Sequence, residues 1–161
     1  MITIEQLKEV LEYNPDTGVF IRVKSNSPSV KVGDVAGAYD YKGYIVIKIN
    51  YKLYKAHRLA WLYMRGKFPE KCIDHINRIR DDNRWINLRQ ATAFQNATNS
   101  LSKNTSGYRG AYYKKKNKKW ESKIRHMNKV IYLGLYTTPQ EAAEAYKKKA
   151  IELFGEFSYT E

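Results

Sequence analysis

The stretch IDHINRIRDDNRWINLRQATAFQN, residues 73–96, decides the fold expected for the middle of this chain. It opens with a short run that carries Asp74 and His75 and is typical of a strand, and it continues into a polar segment rich in turn-forming asparagine. Residues 88–99 then contain enough helix-forming side chains to close the unit with a helix that carries Asn96. The sequence therefore predicts a strand or hairpin, a loop and a helix, in this order.

The side chains of this stretch suit the hydrolysis of a phosphodiester, which needs an activated water and a cation against the phosphate. Asp74 offers a carboxylate oxygen and Asn96 an amide oxygen, a pair that suits Mg²⁺ or Mn²⁺ better than zinc. Neutral His75 is able to take a proton from water near its ordinary pKa of about 6.5. Because neighbours in an ideal strand point to opposite faces, a twist or bulge is needed to bring His75 and Asp74 to one site.

A plainer interpretation stays open for these residues. An Asp–His pair is more often a solvated turn or a helix cap than a catalytic site, and Asn77, Asn83 and Asn87 are ordinary turn formers. The charge of the chain favours a polyanionic partner, since 29 Lys and Arg against 16 Asp and Glu give a formal net charge of +13. The alternative is a basic but otherwise ordinary protein.

Upstream of this stretch the pattern alternates between helix and strand. A capping box at Thr3 begins a short helix with Leu11 on its apolar face, and a strong turn signal at residues 14–18 ends it. Strands are predicted at residues 19–23 and 43–49 and through Leu53 and Tyr54, with a loop at residues 24–31. A helix over residues 56–65, with its stop at Gly66, completes this part.

Downstream, the composition changes from Gly107 onward, after a polar segment at residues 101–106 that is predicted to be a linker. Three short strands are predicted at residues 108–113, 120–126 and 130–136. The helix that follows begins with a capping box at Thr138 and Glu141 and ends at Gly155.

The middle strand of the three has two chemically different faces. Ser122, Ile124 and His126 share one face, and Glu121, Lys123 and Arg125 share the other. A sheet with a polar, basic face and a helix behind it is able to enter a DNA groove.

The composition excludes several other classes of protein. Cys72 is the single cysteine, so neither an intramolecular disulfide nor a paired-cysteine zinc site can form. Residues 1–13 lack the pattern of a secretory signal, and no apolar run approaches the length of a membrane span. These features predict an intracellular protein in a reducing cytoplasm.

Residues 56–100 contain five short motifs at characteristic spacings: Ala56–Ala60 (AHRLA), Asp74–Asn77 (DHIN), Asp82–Arg84 (DNR), Asn87–Arg89 (NLR) and Asn96. In type and spacing these motifs resemble those of the HNH endonucleases of the phage and intron-encoded type. The resemblance implies two strands and a helix around one metal ion, Mg²⁺ or Mn²⁺, with Asp74 and Asn96 as its ligands. It also implies that His75 is the general base and that Asn87 braces the loop.

The same resemblance implies phosphate contacts and some departures from the family. Arg58, Arg84 and Arg89 become candidates to hold phosphate, with solvation at the surface as the equal alternative for each. His57 matches a family position to which no chemistry is assigned. Many relatives have histidine in place of Asn96, and the cysteine pairs of zinc-binding relatives are missing from this sequence. A weaker site for a hard ion and no structural zinc are therefore expected.

Four stretches of residues 106–158 form a second pattern: Ser106–Gly110, Lys119–Arg125, Tyr132–Tyr136 and Thr138–Phe154. They resemble the APETALA-type DNA-binding domain of plant ethylene-response factors, a module also fused to phage HNH nucleases. The resemblance implies a three-stranded sheet in the major groove, with Arg109, Lys123, Arg125 and Tyr132 facing DNA. Lys123 and Tyr132 replace Glu and Trp of the plant domains, so the plant target sequence is not expected to carry over.

Together these features predict an α+β fold with two modules. Residues 1–100 form a ββα-metal HNH nuclease module with an N-terminal helix and hairpin, residues 101–106 a linker, and residues 107–161 a three-stranded antiparallel sheet packed on one helix. The expected function is that of a homing-type DNA endonuclease, a monomer or homodimer with no membrane partner, which uses one divalent metal to nick double-stranded DNA. A phage-encoded protein in the cytoplasm of a bacterial host is expected.

Two rival functions stay open. The first is a non-catalytic DNA-binding regulator that retains a relic of the HNH site. The second is RNA binding. It is the weaker of the two because no aromatic platform of the expected kind stands out in the sequence.

Overall fold

The computed structural model describes residues 1–24, 30–99 and 106–158. The chain divides into two compact units, Met1–Ala93 and Phe94–Glu161, and each is described by itself. The predicted linker at 101–106 lies outside the described residues apart from Ser106, and so does most of the predicted loop at 24–31. The module boundaries at residues 100 and 107 therefore stay a prediction.

The first unit contains two helices and seven short strands within its described residues. They are α1 (Ile4–Val10), β1 (Leu11–Tyr13), β2 (Phe20–Arg22), β3 (Ala38–Tyr39), β4 (Ile45–Ile49), β5 (Lys52–Lys55), α2 (Ala56–Arg65), β6 (Cys72–His75) and β7 (Leu88–Ala91). One 3₁₀ turn, Trp85–Asn87, leads into β7. The strands pair antiparallel as β1–β2, as β3–β4–β5 and as β6–β7.

Local sequence signals set several of these boundaries, as predicted. The side chain of Thr3 accepts a hydrogen bond from the backbone N–H of Gln6, which completes the capping box that begins α1. Gly66 ends α2 in the left-handed region at φ +72°, where a residue with a Cβ is strained. The turn between β4 and β5 places Asn50 and Tyr51 at φ +46° and +64°, the geometry of a two-residue hairpin.

The core of this unit joins the N-terminal elements to α2. Leu7, Leu11, Phe20, Ile47 and Leu59 are fully buried in it. α2 contacts α1, β4 and β5. The first turn of α2 is therefore interior, and the side chain of His57 lies buried there.

Two predicted elements were wrong in their secondary structure. Leu11, predicted on the face of the first helix, has extended backbone and pairs with Arg22 in the β1–β2 ladder. Residues 88–91, predicted as the start of a helix, form β7 and pair with β6, with Leu88 and Ala91 buried. In both cases a strand partner that is distant or unrecognised in the sequence outweighs local helix propensity.

The second unit contains a three-stranded antiparallel sheet. Its elements are the greater part of α3 (Ala93–Thr98), β8 (Ala111–Lys114), β9 (Lys119–His126), β10 (Lys129–Tyr136), α4 (Pro139–Phe154) and a 3₁₀ turn, Gly155–Phe157. β9 lies between β8 and β10, and α4 contacts all three strands. α4 begins with the predicted capping box of Thr138 and Glu141.

The alternation predicted for β9 is confirmed. Ser122 and Ile124 are buried, whereas Arg125 is exposed on the opposite face. Because α4 contacts this sheet, the buried face is the one covered by the helix and the basic face is the outer one.

All strand pairings described for both units are antiparallel, and the sheets are small. Both features agree with the α+β class. No helix in residues 1–24, 30–99 and 106–158 combines the length and the apolar character that crossing a membrane requires.

Candidate active site

Asp74 and Arg89 lie directly opposite each other in the β6–β7 ladder. The Nε and Nη2 atoms of Arg89 are each 2.9 Å from Oδ2 of Asp74. Asp74 is only 3% exposed, and a carboxylate so deeply buried requires a compensating cation. Arg89, predicted to hold phosphate, thus neutralises the predicted metal ligand in this structure.

His75, the predicted general base, is 5% exposed and has ring neighbours from the N-terminal elements. Its ring centroid lies 5.0 Å from that of His57, edge to face, and 5.9 Å from that of Tyr44. Burial lowers the pKa of His75 below its ordinary value, while a hydrogen bond to Asn83 acts in the opposite direction. The imidazole is therefore neutral at neutral pH and able to accept a proton.

Asn83 determines which nitrogen of His75 carries the hydrogen. Its Nδ2 donates to the carbonyl oxygen of Asp81 at 3.2 Å, and its Oδ1 lies 3.2 Å from Nε2 of His75. Since an amide oxygen only accepts hydrogen bonds, Nε2 of the neutral ring is the donor. The lone pair that takes a proton is then on Nδ1.

The loop between β6 and β7 is closed by a pair of amide side chains. Oδ1 of Asn87 accepts from the backbone N–H of Asn77 at 2.9 Å, and Nδ2 of Asn87 donates to Oδ1 of Asn77 at 2.9 Å. Nδ2 of Asn87 also donates to the carbonyl oxygen of Asp82 at 2.8 Å. Asn87 is buried at the centre of these bonds, a geometry suited to the brace that the family resemblance implies.

Three residues around His75 were not predicted as parts of the site. Tyr44 was assigned only to a strand, Asn83 only to a turn, and His57 had no chemistry. The stretches AHRLA and DNR contain His57 and Asn83, so a signal existed for both. Nothing local marked Tyr44, because its contacts with the two histidine rings depend on the fold.

His57 is a buried histidine without a hydrogen bond at one nitrogen. Among the described residues, its Nδ1 has no hydrogen-bond partner. Burial, followed by the neighbouring His75 and the charges of Lys55 and Arg58, lowers the pKa of His57 to about 3. The ring is therefore neutral over the physiological range and forms an apolar wall beside His75.

The other site residues predicted in the first unit lie nearer the surface. Arg84 pairs with Asp82, with Nε 2.8 Å from Oδ1 and Nη2 2.6 Å from Oδ2, and its side chain is 49% exposed. Arg58 is half-buried, with its guanidinium 5.9 Å from the centroid of the Phe68 ring. Neither contact tests whether these arginines bind phosphate, so that role stays a prediction.

Asn96, the second predicted metal ligand, lies on α3 and is half-buried. It belongs to the second unit, which is described separately from the unit of Asp74. Its participation in a shared metal site therefore stays an expectation.

Three of the four predicted DNA contacts of the second unit lie in its sheet, Lys123 and Arg125 on the central strand β9 and Tyr132 on the edge strand β10. Tyr132 is opposite Lys123 in the β9–β10 ladder, and Arg125 and Tyr132 are exposed. Nζ of Lys123 lies 2.9 Å from Oε2 of Glu121. Arg109 differs, because its Nη1 donates to the carbonyl oxygen of Thr98 at 2.7 Å and its Nε to the Tyr146 hydroxyl at 3.3 Å.

The donor set fits one hard cation better than a thiolate or multi-histidine metal site. Within the described ranges, no three His, Cys, Asp or Glu side chains gather as a metal-binding group. Asp74 is a buried carboxylate that already has a positive charge, the Arg89 guanidinium, at Oδ2. Mg²⁺ and Mn²⁺ prefer oxygen ligands, and a carboxylate together with an amide oxygen, water and phosphate forms such a set.

Comparisons with known proteins identify the family of this segment. Residues 54–98 match the HNH endonuclease family model, so the chain contains an HNH endonuclease domain. An HNH endonuclease of Acanthamoeba polyphaga mimivirus, itself uncharacterised, is 31% identical over 122 residues, which is 73% of this chain and 64% of that protein.

Two transcription factors of Arabidopsis thaliana are also similar to parts of the chain. An ethylene-responsive transcription factor is 33% identical over 87 residues, 53% of this chain and 19% of the relative. An AP2-like ethylene-responsive transcription factor is 42% identical over 60 residues, 36% of this chain and 17% of the relative. The chain thus spans less than two thirds of the length of each of these three relatives.

Proposed function

We propose that this protein is a DNA endonuclease that hydrolyses phosphodiester bonds with one divalent metal ion, Mg²⁺ or Mn²⁺, as a nicking enzyme of homing type. One observation carries the proposal: inside the HNH domain, a buried and neutral His75 has its Nε2 bonded to Asn83 and is adjacent in β6 to the buried carboxylate of Asp74. A neutral imidazole with an assigned acceptor nitrogen is what a general base requires.

The residues divide the chemistry among them. His75 takes the proton of the attacking water at Nδ1, while Asn83 keeps the hydrogen on Nε2. Asn87 holds the loop closed, and Arg58 and Arg84 contact the DNA backbone. Asp74 and Asn96 would hold the metal ion, which when bound supplies positive charge against the phosphate.

The outer face of the second unit is the proposed positioning surface for double-stranded DNA. Lys123, Arg125 and Tyr132 lie on that face, and the similarity to transcription factors supports the assignment. Arg109 is proposed to contact DNA from the edge of the sheet. Because one metal centre cuts one strand, a monomer nicks, and a double-strand break requires a homodimer or a second binding event. The enzyme is further proposed to be phage-encoded and to act in the cytoplasm of a bacterial host; the mimivirus relative supports a viral source and says nothing of a bacterial host.

The decisive experiment compares wild type with His75→Ala on supercoiled plasmid that carries the native target, with Mg²⁺ present. Loss of the base is expected to slow nicking by about 10² to 10⁴-fold without weakening DNA binding. Lys67→Ala is the matched control, since it removes only an exposed ion pair with Glu70 and should nick like wild type. Equal nicking by His75→Ala and wild type would refute the role of the base.

A non-catalytic DNA-binding regulator is the second candidate, and one observation favours it. Arg89 already occupies the carboxylate that a metal ion must use. A regulator would bind the target DNA with its second unit and show no metal-dependent nicking. With such a regulator, the heat released on adding Mn²⁺ would be the same for wild type and for Asp74→Asn, because no metal ion would bind at Asp74. RNA binding is a weaker option and predicts tighter binding to single-stranded RNA than to duplex DNA.

A further inference from the structure

The strand pair β1–β2 and the turn that joins it lie against the loop that holds Asn83. The hydroxyl of Tyr13, the last residue of β1, donates to the carbonyl oxygen of Asn83 at 2.7 Å. Tyr13 is buried, and its ring packs at 4.7 Å from that of Phe20 and 5.7 Å from that of Tyr63. Burial and the nearby charges of Asp82 and Asp16 raise the pKa of Tyr13, so the hydroxyl keeps its hydrogen and stays a donor.

The turn itself touches the next peptide of the same loop. The carbonyl oxygen of Pro15 accepts from the backbone N–H of Trp85 at 2.8 Å. Gly18 has φ +75°, and a Cβ there would lie 2.4 Å from the Arg84 nitrogen and 2.5 Å from the Asn83 carbonyl carbon. These neighbours are backbone atoms and cannot swing away, so only glycine allows this approach.

The three contacts fall on consecutive residues. Tyr13 bonds Asn83, Gly18 packs on the peptide between Asn83 and Arg84, and Pro15 bonds Trp85. The backbone of Asn83 is therefore fixed from one side by elements outside the segment that matches the HNH family, residues 54–98. The side-chain amide oxygen of the same residue, Asn83, accepts a hydrogen bond from His75.

We propose that residues 11–22 are a positioning element of the nuclease site, and that Tyr13 is a positioning residue which acts through Asn83 to fix the orientation and the tautomer of His75. This inference rests on the proposed function, since it gives His75 the role of base. The contacts of Tyr13 with Asn83 and of Asn83 with His75 form one continuous path of two hydrogen bonds.

The first test is the substitution Tyr13→Phe, which keeps the buried ring and removes only the donor. The tautomer of His75 is read from the ¹⁵N shifts of its ring in the metal-free protein at about pH 8, where the imidazole is neutral. Wild type should hold the Nε2–H form, and Tyr13→Phe should show a rise in the Nδ1–H form. The single-turnover nicking rate should fall by about five- to tenfold, the usual worth of one hydrogen bond, with unchanged DNA affinity.

Tyr54→Phe is the matched control, because Tyr54 also packs its ring against the core of the same unit. It should leave the His75 tautomer and the nicking rate as in wild type. A general loosening of the core would instead move both variants alike, and that result would overturn the proposed path.

A double-mutant cycle tests whether Tyr13 acts through Asn83. In an Asn83→Ala background, Tyr13→Phe should change the rate by less than about twofold, because the connecting amide is already gone. An equal effect of Tyr13→Phe in both backgrounds would overturn the path. Retention of wild-type tautomer and rate by Tyr13→Phe would overturn it as well.

The outcomes also separate this inference from the proposed function. If wild type does not nick target DNA but Tyr13→Phe shifts the tautomer, the path from Tyr13 to His75 stands and the nuclease proposal fails. If wild type nicks and Tyr13→Phe changes neither tautomer nor rate, the nuclease proposal stands and the positioning element is refuted.

Discussion

Arg89 and Asp74 form a buried ion pair directly across the β6–β7 ladder, with 2.9 Å between Nη2 and Oδ2 and side-chain exposures of 12% and 4%. Removal of one partner leaves the other charge buried without compensation. Arg89→Gln is therefore expected to lower the free energy of unfolding by about 3 kcal/mol, measured by urea denaturation of the metal-free protein. Arg84→Gln, which breaks an ion pair with a half-exposed arginine, should cost less than about 1 kcal/mol. Similar losses of unfolding free energy in the two variants would contradict the larger contribution expected from the buried pair.

The buried His57 makes stability depend on pH. Its pKa is lowered to about 3 in the folded protein and lies near 6.5 in the unfolded chain, so between these values the unfolded state binds one more proton. Stability is complete above about pH 6.5 and is lost as the pH falls toward 3, by about 1.4 kcal/mol per pH unit for this one proton. His75, whose pKa is also lowered, acts in the same direction.

His57→Phe tests this dependence because it keeps an aromatic ring in place and removes the titration. The urea midpoint of wild type should fall steeply between about pH 6.5 and 4.5. The midpoint of His57→Phe should fall less steeply with pH, because the proton that His57 takes up on unfolding is absent from this variant. Parallel curves for the two proteins would show that His57 does not titrate in this way.

Arg125 is exposed on the outer face of the second unit, opposite Val130. Arg125→Ala is expected to weaken binding to duplex DNA and to reduce the slope of log affinity against log salt by about 1, without abolishing metal binding. The control Lys148→Ala removes one positive charge from an exposed position on α4, the helix on the opposite side of the sheet. It should change the slope less, and an equal change would refute the assignment of the outer face.

Gly110 and Gly107 have nearly the same backbone, with φ +77° and +74°, but different surroundings. A Cβ on Gly110 would lie 2.5 Å from Cβ of Tyr146 and 2.2 Å from its Cγ, whereas one on Gly107 meets no atom within 4 Å. Both alanine variants pay the cost of a left-handed residue, about 1 kcal/mol. Gly110→Ala should lose about 2 kcal/mol more in unfolding experiments because of the collision. Equal losses would mean that Tyr146 moves aside without cost.

Local signals in the sequence predicted the boundaries that depend on local chemistry. The capping boxes at Thr3 and Thr138, the stop of α2 at Gly66 and the two faces of β9 all follow from short spacings. Each requires only residues within a turn or a strand of one another. Such features are accessible without knowledge of the fold.

Features that depend on pairing between distant segments were not predicted. Residues 88–91 have acceptable helix propensity, and only the partner strand β6 makes them β7. Asp74 and His75 were selected by residue type and spacing, but the bond of Asp74 with Arg89 and that of His75 with Asn83 required the register and the loop conformation. Tyr44, the residue directly before β4, contacts His75 from some thirty positions earlier in the chain, and nothing in its own neighbourhood marks it.

The hydrogen bond between Tyr13 and Asn83 joins positions 70 residues apart. Closing a chain segment of that length costs entropy before the contact returns any stability, so contacts of this kind form late in folding. During synthesis on the ribosome, this bond can form only after both Tyr13 and Asn83 have emerged, so the proposed orientation of His75 requires the first unit to fold as a whole.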